Sequence, residues 1–150
     1  MTNPAPGDWR LAVYGARSSH GTYRTAPRRV DQTSILTVQG DVCLYCEIPI
    51  GTTIWRRYRA SRRYRSLTVV LRRNWDHFVP YAFLEQNPNT NWVLACHVCN
   101  AIKTSKMFDT VESARRVILA ARESKGYEPV RQVLMRLALD SMPEQVGETP

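Results

Sequence analysis

Asn91-Trp92-Val93-Leu94-Ala95-Cys96-His97-Val98-Cys99-Asn100-Ala101-Ile102-Lys103 is the stretch from which the rest of the chain can be read. Residues 92–95 are apolar, follow an Asn-Pro-Asn loop at 87–89, and read as a strand that delivers the chain to Cys96. Cys96 and Cys99 form a Cys-x-x-Cys knuckle, and residues 97 to about 107 should form a short helix. On that helix Asn100 and Lys103 are three apart, on one face.

A second knuckle, Cys43-Leu44-Tyr45-Cys46, lies upstream. Two such pairs in a chain of intracellular type point to one structural zinc ion held by four thiolates, with closed coordination and no open position for chemistry. Tying 43–46 to 96–99 closes a loop of about fifty residues. Four buried free cysteines, or His97 in place of one thiolate, are the competing readings. A thiol–disulfide enzyme fits less well, since no thioredoxin-like strand–helix context surrounds either pair.

Between the knuckles the composition changes. No Asp or Glu occurs from Ile48 to Trp75, while arginine stands at Arg56, Arg57, Arg59, Arg62, Arg63, Arg65, Arg72 and Arg73, with Tyr58 and Tyr64 interleaved. Residues 67–71 read as a strand, and residues 75–79, ahead of Pro80, as another. The 150-residue chain has a formal net charge of +8, divided as +9 over residues 1–75 and −1 over 76–150. An acidic scaffold is excluded, as are collagen-like, coiled-coil and wholly disordered classes. A polyanion is the natural partner of the basic half, gripped through phosphates rather than base edges. A solvated basic face is the bland alternative.

No apolar run is long enough to span a bilayer, and the N-terminus lacks a basic segment leading into an apolar one. The expected location is therefore the cytoplasm. Residues 1–30 read as a loose arm, with residues 9–14 as a short strand on the body; the apolar piece at 34–38 is of ambiguous type. Residues 31–108 read as the zinc-stabilised unit, with an Arg-rich insertion at 52–73. Residues 109–150 read as a helical extension of the same domain. Asp109 and Glu112 match a capping box, ahead of an apolar stripe at 111, 114, 117, 118 and 121. Gly126 ends that helix, Pro129 opens the next, and Ser141 and Pro143 stop it. Both helices read as cover for the core, which favours a monomer over a homodimer.

With zinc structural, chemistry falls to Asp76, His77 and Asn100. Asp offers a hard oxygen ligand for magnesium or manganese, Asn a neutral carbonyl oxygen, and His a base matched to neutral pH. In an extended strand Asp76 and His77 point to opposite faces, so a shared site requires a bend.

The order Cys43-x-x-Cys46, Asp76-His77-x-x-Pro80, Asn91, Cys96-x-x-Cys99-Asn100-x-x-Lys103 closely resembles the HNH endonuclease family, over about residues 41–107. The resemblance implies an α+β fold with a ββα-metal (His-Me finger) core and a single-metal phosphodiesterase site cutting DNA to 5′-phosphate and 3′-hydroxyl ends. It implies His77 as general base and Asp76 as a ligand of the catalytic cation. Asn91 would brace the loop between the strands, and Asn100 would be the second ligand, in the variant whose final residue is Asn. Lys103 matches a common helix lysine, expected with the arginines on phosphate. Three features depart from the pattern: Tyr81-Ala82-Phe83-Leu84-Glu85 replaces a frequent Gly-Gly turn, the interval from Cys46 to Asp76 is long, and Asn87 and Asn89 neighbour Asn91. The small size fits a phage or mobile-element protein. The main rival is a non-catalytic zinc-stabilised nucleic-acid-binding module; a protein adaptor using the C-terminal helices is a third reading.

Overall fold

A computed structural model describes residues 26–80 and 91–142, which form an α+β arrangement of four helices and two small antiparallel sheets. The strand expected at 9–14 and the loop at 87–89 lie outside the described residues. Helix α1 (Arg29–Gln39) settles the ambiguous piece at 34–38 and begins within the stretch expected to be loose. Only Ile35 of α1 is buried, and the hydroxyls of Thr33, Ser34 and Thr37 donate to carbonyls four residues back. So thin an apolar stripe, mixed with Ser and Thr, leaves little periodicity to read. The chain turns at Gly40, φ +76°, into the first knuckle.

The Arg-rich insertion is a β-hairpin. β1 (Thr53–Ala60) pairs with β2 (Arg63–Val70) from Thr53↔Val70 to Ala60↔Arg63, turning at Ser61, φ +57°. The strand expected at 67–71 is thus the end of a longer one, and Leu71 lies just past it, buried. The outer edge of β1 is held by the loop after the third helix: Arg57 N–H donates to Gly126 O at 2.7 Å, and Glu128 N–H to Trp55 O at 2.9 Å. Gly126 is required there. Its φ is +81°, and a Cβ would lie 1.8 Å from Arg57 O.

β3 (Arg73–His77), β4 (Trp92–Cys96) and α2 (His97–Lys103) form a ββα unit, with Asp76↔Val93 and His77↔Trp92 in register. β3 stops at His77 rather than 79, and α2 at Lys103 rather than about 107, where Thr104 takes φ +54°. All five residues of β4 are buried, because both its faces are covered. Val93 and Ala95 join the cysteines in the main core, whereas Trp92 and Leu94 pack with Ile35 and Trp75. The outer edge of β4 is covered at Leu94: Gln39 Nε2 donates to Leu94 O at 2.7 Å, Leu44 N–H donates to the same oxygen at 2.9 Å, and Leu94 N–H donates to Gln39 Oε1 at 3.2 Å.

Helices α3 (Val111–Ser124) and α4 (Val130–Asp140) fall near their expected places. The capping box is Thr110 with Ser113, not Asp109 with Glu112: Ser113 N–H donates to Thr110 Oγ1 at 3.1 Å, and Thr110 N–H to Ser113 Oγ at 3.3 Å. Val111, Ala114 and Ile118 face the core, but Val117 is exposed and the buried stripe continues instead through Arg122.

Candidate functional site

The knuckles meet as the spacing requires. Cys43, Cys46, Cys96 and Cys99 are buried, reduced, and have their sulfurs within 4.8 Å of one another. Such a set can hold a metal ion such as zinc. Cys43 N–H donates to Ile48 O at 3.1 Å, Glu47 N–H to Cys43 O at 2.8 Å, and Glu47 adopts φ +59° to turn the chain. Cys96 caps α2, its sulfur accepting from Cys99 N–H at 3.4 Å. Burial opposes ionisation of Cys43, but hydrogen bonds from Cys46, Cys96 and Cys99 outweigh it and hold this thiol far below its ordinary value. Hydrogen bonding to Cys43 pushes Cys46 and Cys99 the other way. Cys96 is lowered as Cys43 is: the opposing pull of Cys43 and of burial is outweighed by its hydrogen bonds with Cys46 and Cys99. Two thiolates are thus favoured and two resisted, an imbalance that a bound cation would remove by favouring the thiolate at every ligand. His97 takes no part: its Nδ1 accepts from Arg72 N–H at 3.1 Å. Burial first, and then the Arg72 charge, keep it below the usual imidazole value.

Asp76 lies on the β3 face turned to α2 and the knuckle. Tyr45 Oη donates to Asp76 Oδ2 at 2.6 Å, and Lys103 Nζ stands 3.2 Å from Oδ2 and 3.4 Å from Oδ1. All three side chains are buried. Burial pushes the Asp76 carboxyl above its usual range, with Lys103 and Tyr45 pulling against the shift. Lys103 Nζ also donates to His77 O at 2.8 Å, so its ammonium ties two adjacent residues of β3 to α2. Lys103 therefore cannot grip a phosphate as the sequence suggested. With none of its surface exposed, it is an internal counter-ion.

His77 takes the opposite face, its ring centroid 3.8 Å from that of Trp92. The alternation of the strand separates the two side chains as expected for extended backbone. Asn91 spans the end of the strand pair: Val79 N–H donates to its Oδ1 at 2.7 Å, and its Nδ2 donates to Val79 O at 2.6 Å. Phe78 N–H adds a bond to Asn91 O at 2.8 Å. Asn100 is half-buried on α2, one turn before Lys103. The chain matches no protein-family model, no curated protein and no solved structure.

The arginines divide. Arg59, Arg62, Arg63 and Arg65 are exposed on the distal hairpin, and Arg72 is exposed beside β3. Arg56 is half-buried, its guanidinium 4.8 Å from the Tyr127 ring and its Nε donating to Lys125 O. Arg57 lies 4.6 Å from the Tyr64 ring, and Arg73 pairs with Asp41 at 2.9 Å. Tyr45, which couples the knuckle to Asp76, escaped sequence reasoning. Its one signal was a polar aromatic placed between the two cysteines of a Cys-x-x-Cys pair.

Proposed function

We propose that this protein is a metal-dependent DNA endonuclease of HNH type, with one zinc ion in the four-cysteine cluster. The observation that carries the reading is Asp76: a buried carboxylate at the end of β3, facing α2, in a unit whose order of elements is strand, strand, helix. Asp76 and Asn100 are hard oxygen donors, a set that suits magnesium or manganese, ions that keep most of their own waters. Bound there, such a cation would polarise a phosphoryl oxygen and offset charge on the leaving oxygen. Because β3 sets His77 and Asp76 on opposite faces, a shared site requires the end of β3 to bend when cation and substrate bind; His77 would then accept a proton from water as the water oxygen attacks phosphorus. The bond from phosphorus to the 3′ oxygen breaks, and that oxygen takes a proton from solvent, leaving 5′-phosphate and 3′-hydroxyl ends. Asn91 fixes residues 78 and 79 and so aims the end of the strand that carries His77. The exposed arginines hold the backbone of the substrate.

The test is a cleavage assay with magnesium or manganese on plasmid and branched DNA, with the ends mapped. The expected result is metal-dependent cutting by the wild type. His77→Ala should lose cutting by about 10²–10⁴-fold, the usual contribution of a positioned base, while keeping DNA affinity and zinc content. Undiminished cleavage by this variant overturns the assignment. A second reading, a zinc-stabilised DNA-binding module without catalysis, is favoured by the Lys103 ammonium that already answers the Asp76 charge. Binding without cutting under every metal condition would select it.

A further inference from the structure

We propose that the solvent face of the β1–β2 hairpin is a platform for unpaired nucleic acid, with bases stacking on Trp55 and Tyr64 and phosphates held by Arg57 and Arg59. The proposal shares with the function above only the polyanion partner; it does not depend on hydrolysis.

The register divides the ribbon into two unlike faces. Residues 54, 56, 58 and 60 point towards the body: Ile54 is buried and Arg56 lies over Tyr127. Residues 55, 57 and 59, with their partners Thr68, Ser66 and Tyr64, point away. On that outer face Trp55 is 41% exposed and Tyr64 65% exposed. Neither ring belongs to a core cluster, yet both are large apolar surfaces on the face of the ribbon opposite Ile54 and Arg56. Between them the rung Arg57–Ser66 has one long and one very short side chain. The result is an open depression of about 620 Å³ lined by Trp55, Arg57, Tyr64 and Ser66. The Arg57 guanidinium sits 4.6 Å from the Tyr64 ring, which orients a cation beside an aromatic face.

Charge fixes the class of occupant. The hairpin carries six arginines and no carboxylate, so nothing within the ribbon neutralises Arg57 or Arg59. Glu128, which meets the hairpin at Trp55 N–H, is buried and paired with Arg136 at 3.2 Å. An apolar or acidic protein segment could satisfy the rings or the cations, whereas a nucleic acid satisfies both at a regular spacing. Duplex DNA keeps its base faces stacked on one another and offers only edges and phosphates; a single strand offers the π-faces that two exposed rings can take. The ribbon also contains no Asn or Gln for bidentate reading of adenine, which fits stacking better than groove readout.

The test is fluorescence anisotropy on the full chain without added divalent cation, using labelled oligothymidine of about 15 nucleotides and a duplex of the same length. The single strand should bind about tenfold or more tightly than the duplex at equal salt. Trp55→Ala and Tyr64→Ala should each weaken single-strand binding roughly 5- to 100-fold, the span that stacking on one ring gives, and leave duplex binding within about twofold. Trp55→Phe should restore most of the loss. Because Tyr64 lies near the hairpin tip, Tyr64→Ser serves should Trp55→Ala lose its fold by circular dichroism. Equal or tighter duplex binding, or variants that lose both ligands alike, would overturn the proposal. Cleavage by these same variants separates the two readings: a platform that fails beside intact duplex cutting leaves the nuclease assignment standing, and the reverse holds as well.

Discussion

Tyr45 stands between the two cysteines of the first knuckle, but its hydroxyl leaves the sulfur cluster for Asp76. In the proposed nuclease it would be a positioning residue, since its bond to Oδ2 sets which carboxylate oxygen is left for a cation. Tyr45→Phe removes one buried hydrogen bond to a charged group, worth about 1.5–3 kcal/mol. Cleavage should fall about tenfold or more, and half-maximal rate should need more magnesium, while zinc content stays unchanged. A magnesium titration of cleavage beside zinc analysis checks this; a fall in melting temperature with an unaltered magnesium curve would reduce Tyr45 to packing. The sequence made Asp76, His77, Asn91 and Asn100 legible as candidates because their types and spacings are chemically restrictive. Lys103 was misread for a physical reason: helical spacing tells which residues share a face, not whether that face turns inward. Tyr45 was invisible because its contact spans 31 residues and depends on where the knuckle lands.

At the scale of elements, the knuckles, β4, α3 and α4 were readable from spacing and apolar patterning, whereas α1 and the hairpin were not. In β1 the burial alternation is carried by Arg56 and Tyr58 against Arg57 and Arg59, so hydrophobicity hides it. That ribbon depends on its seam with residues 126–128. Gly126→Ala must place a methyl against Arg57 O at a left-handed φ, and so should open the seam. Destabilisation of about 1–3 kcal/mol is expected, with faster amide exchange in β1, measurable by hydrogen–deuterium exchange. Arg122 makes the opposite case. Its guanidinium is wholly buried in α3 and meets no hydrogen-bond acceptor among the described residues. A charge left so is expensive to bury, and an unbranched apolar side chain of similar length fits the same space. Arg122→Met should therefore raise thermal stability, by about 1–3 kcal/mol on urea denaturation. A loss of stability would reveal a partner for the guanidinium.

Across the whole molecule, the sulfur cluster joins residues 43–46 to residues 96–99, segments that Leu44 N–H to Leu94 O at 2.9 Å also ties together. α3 leans on it directly, Arg115 donating to Leu44 O at 2.9 Å and pairing with Glu47 at 2.8 Å. Cys96→Ser should abolish tight zinc binding and cooperative unfolding together, because ligation energy in a small domain is folding energy. Retention of a sharp melt without zinc would refute that coupling. The charge asymmetry belongs to this scale too, and it was legible from arginine positions alone; the face they occupy needed the register. The amide of Gln39 has a last consequence. An entirely apolar strand whose outer donors and acceptors stood open would be a template on which strands of other molecules could grow. By occupying both groups of Leu94, with Leu44 N–H sharing its carbonyl, the Gln39 amide blunts that edge against such growth.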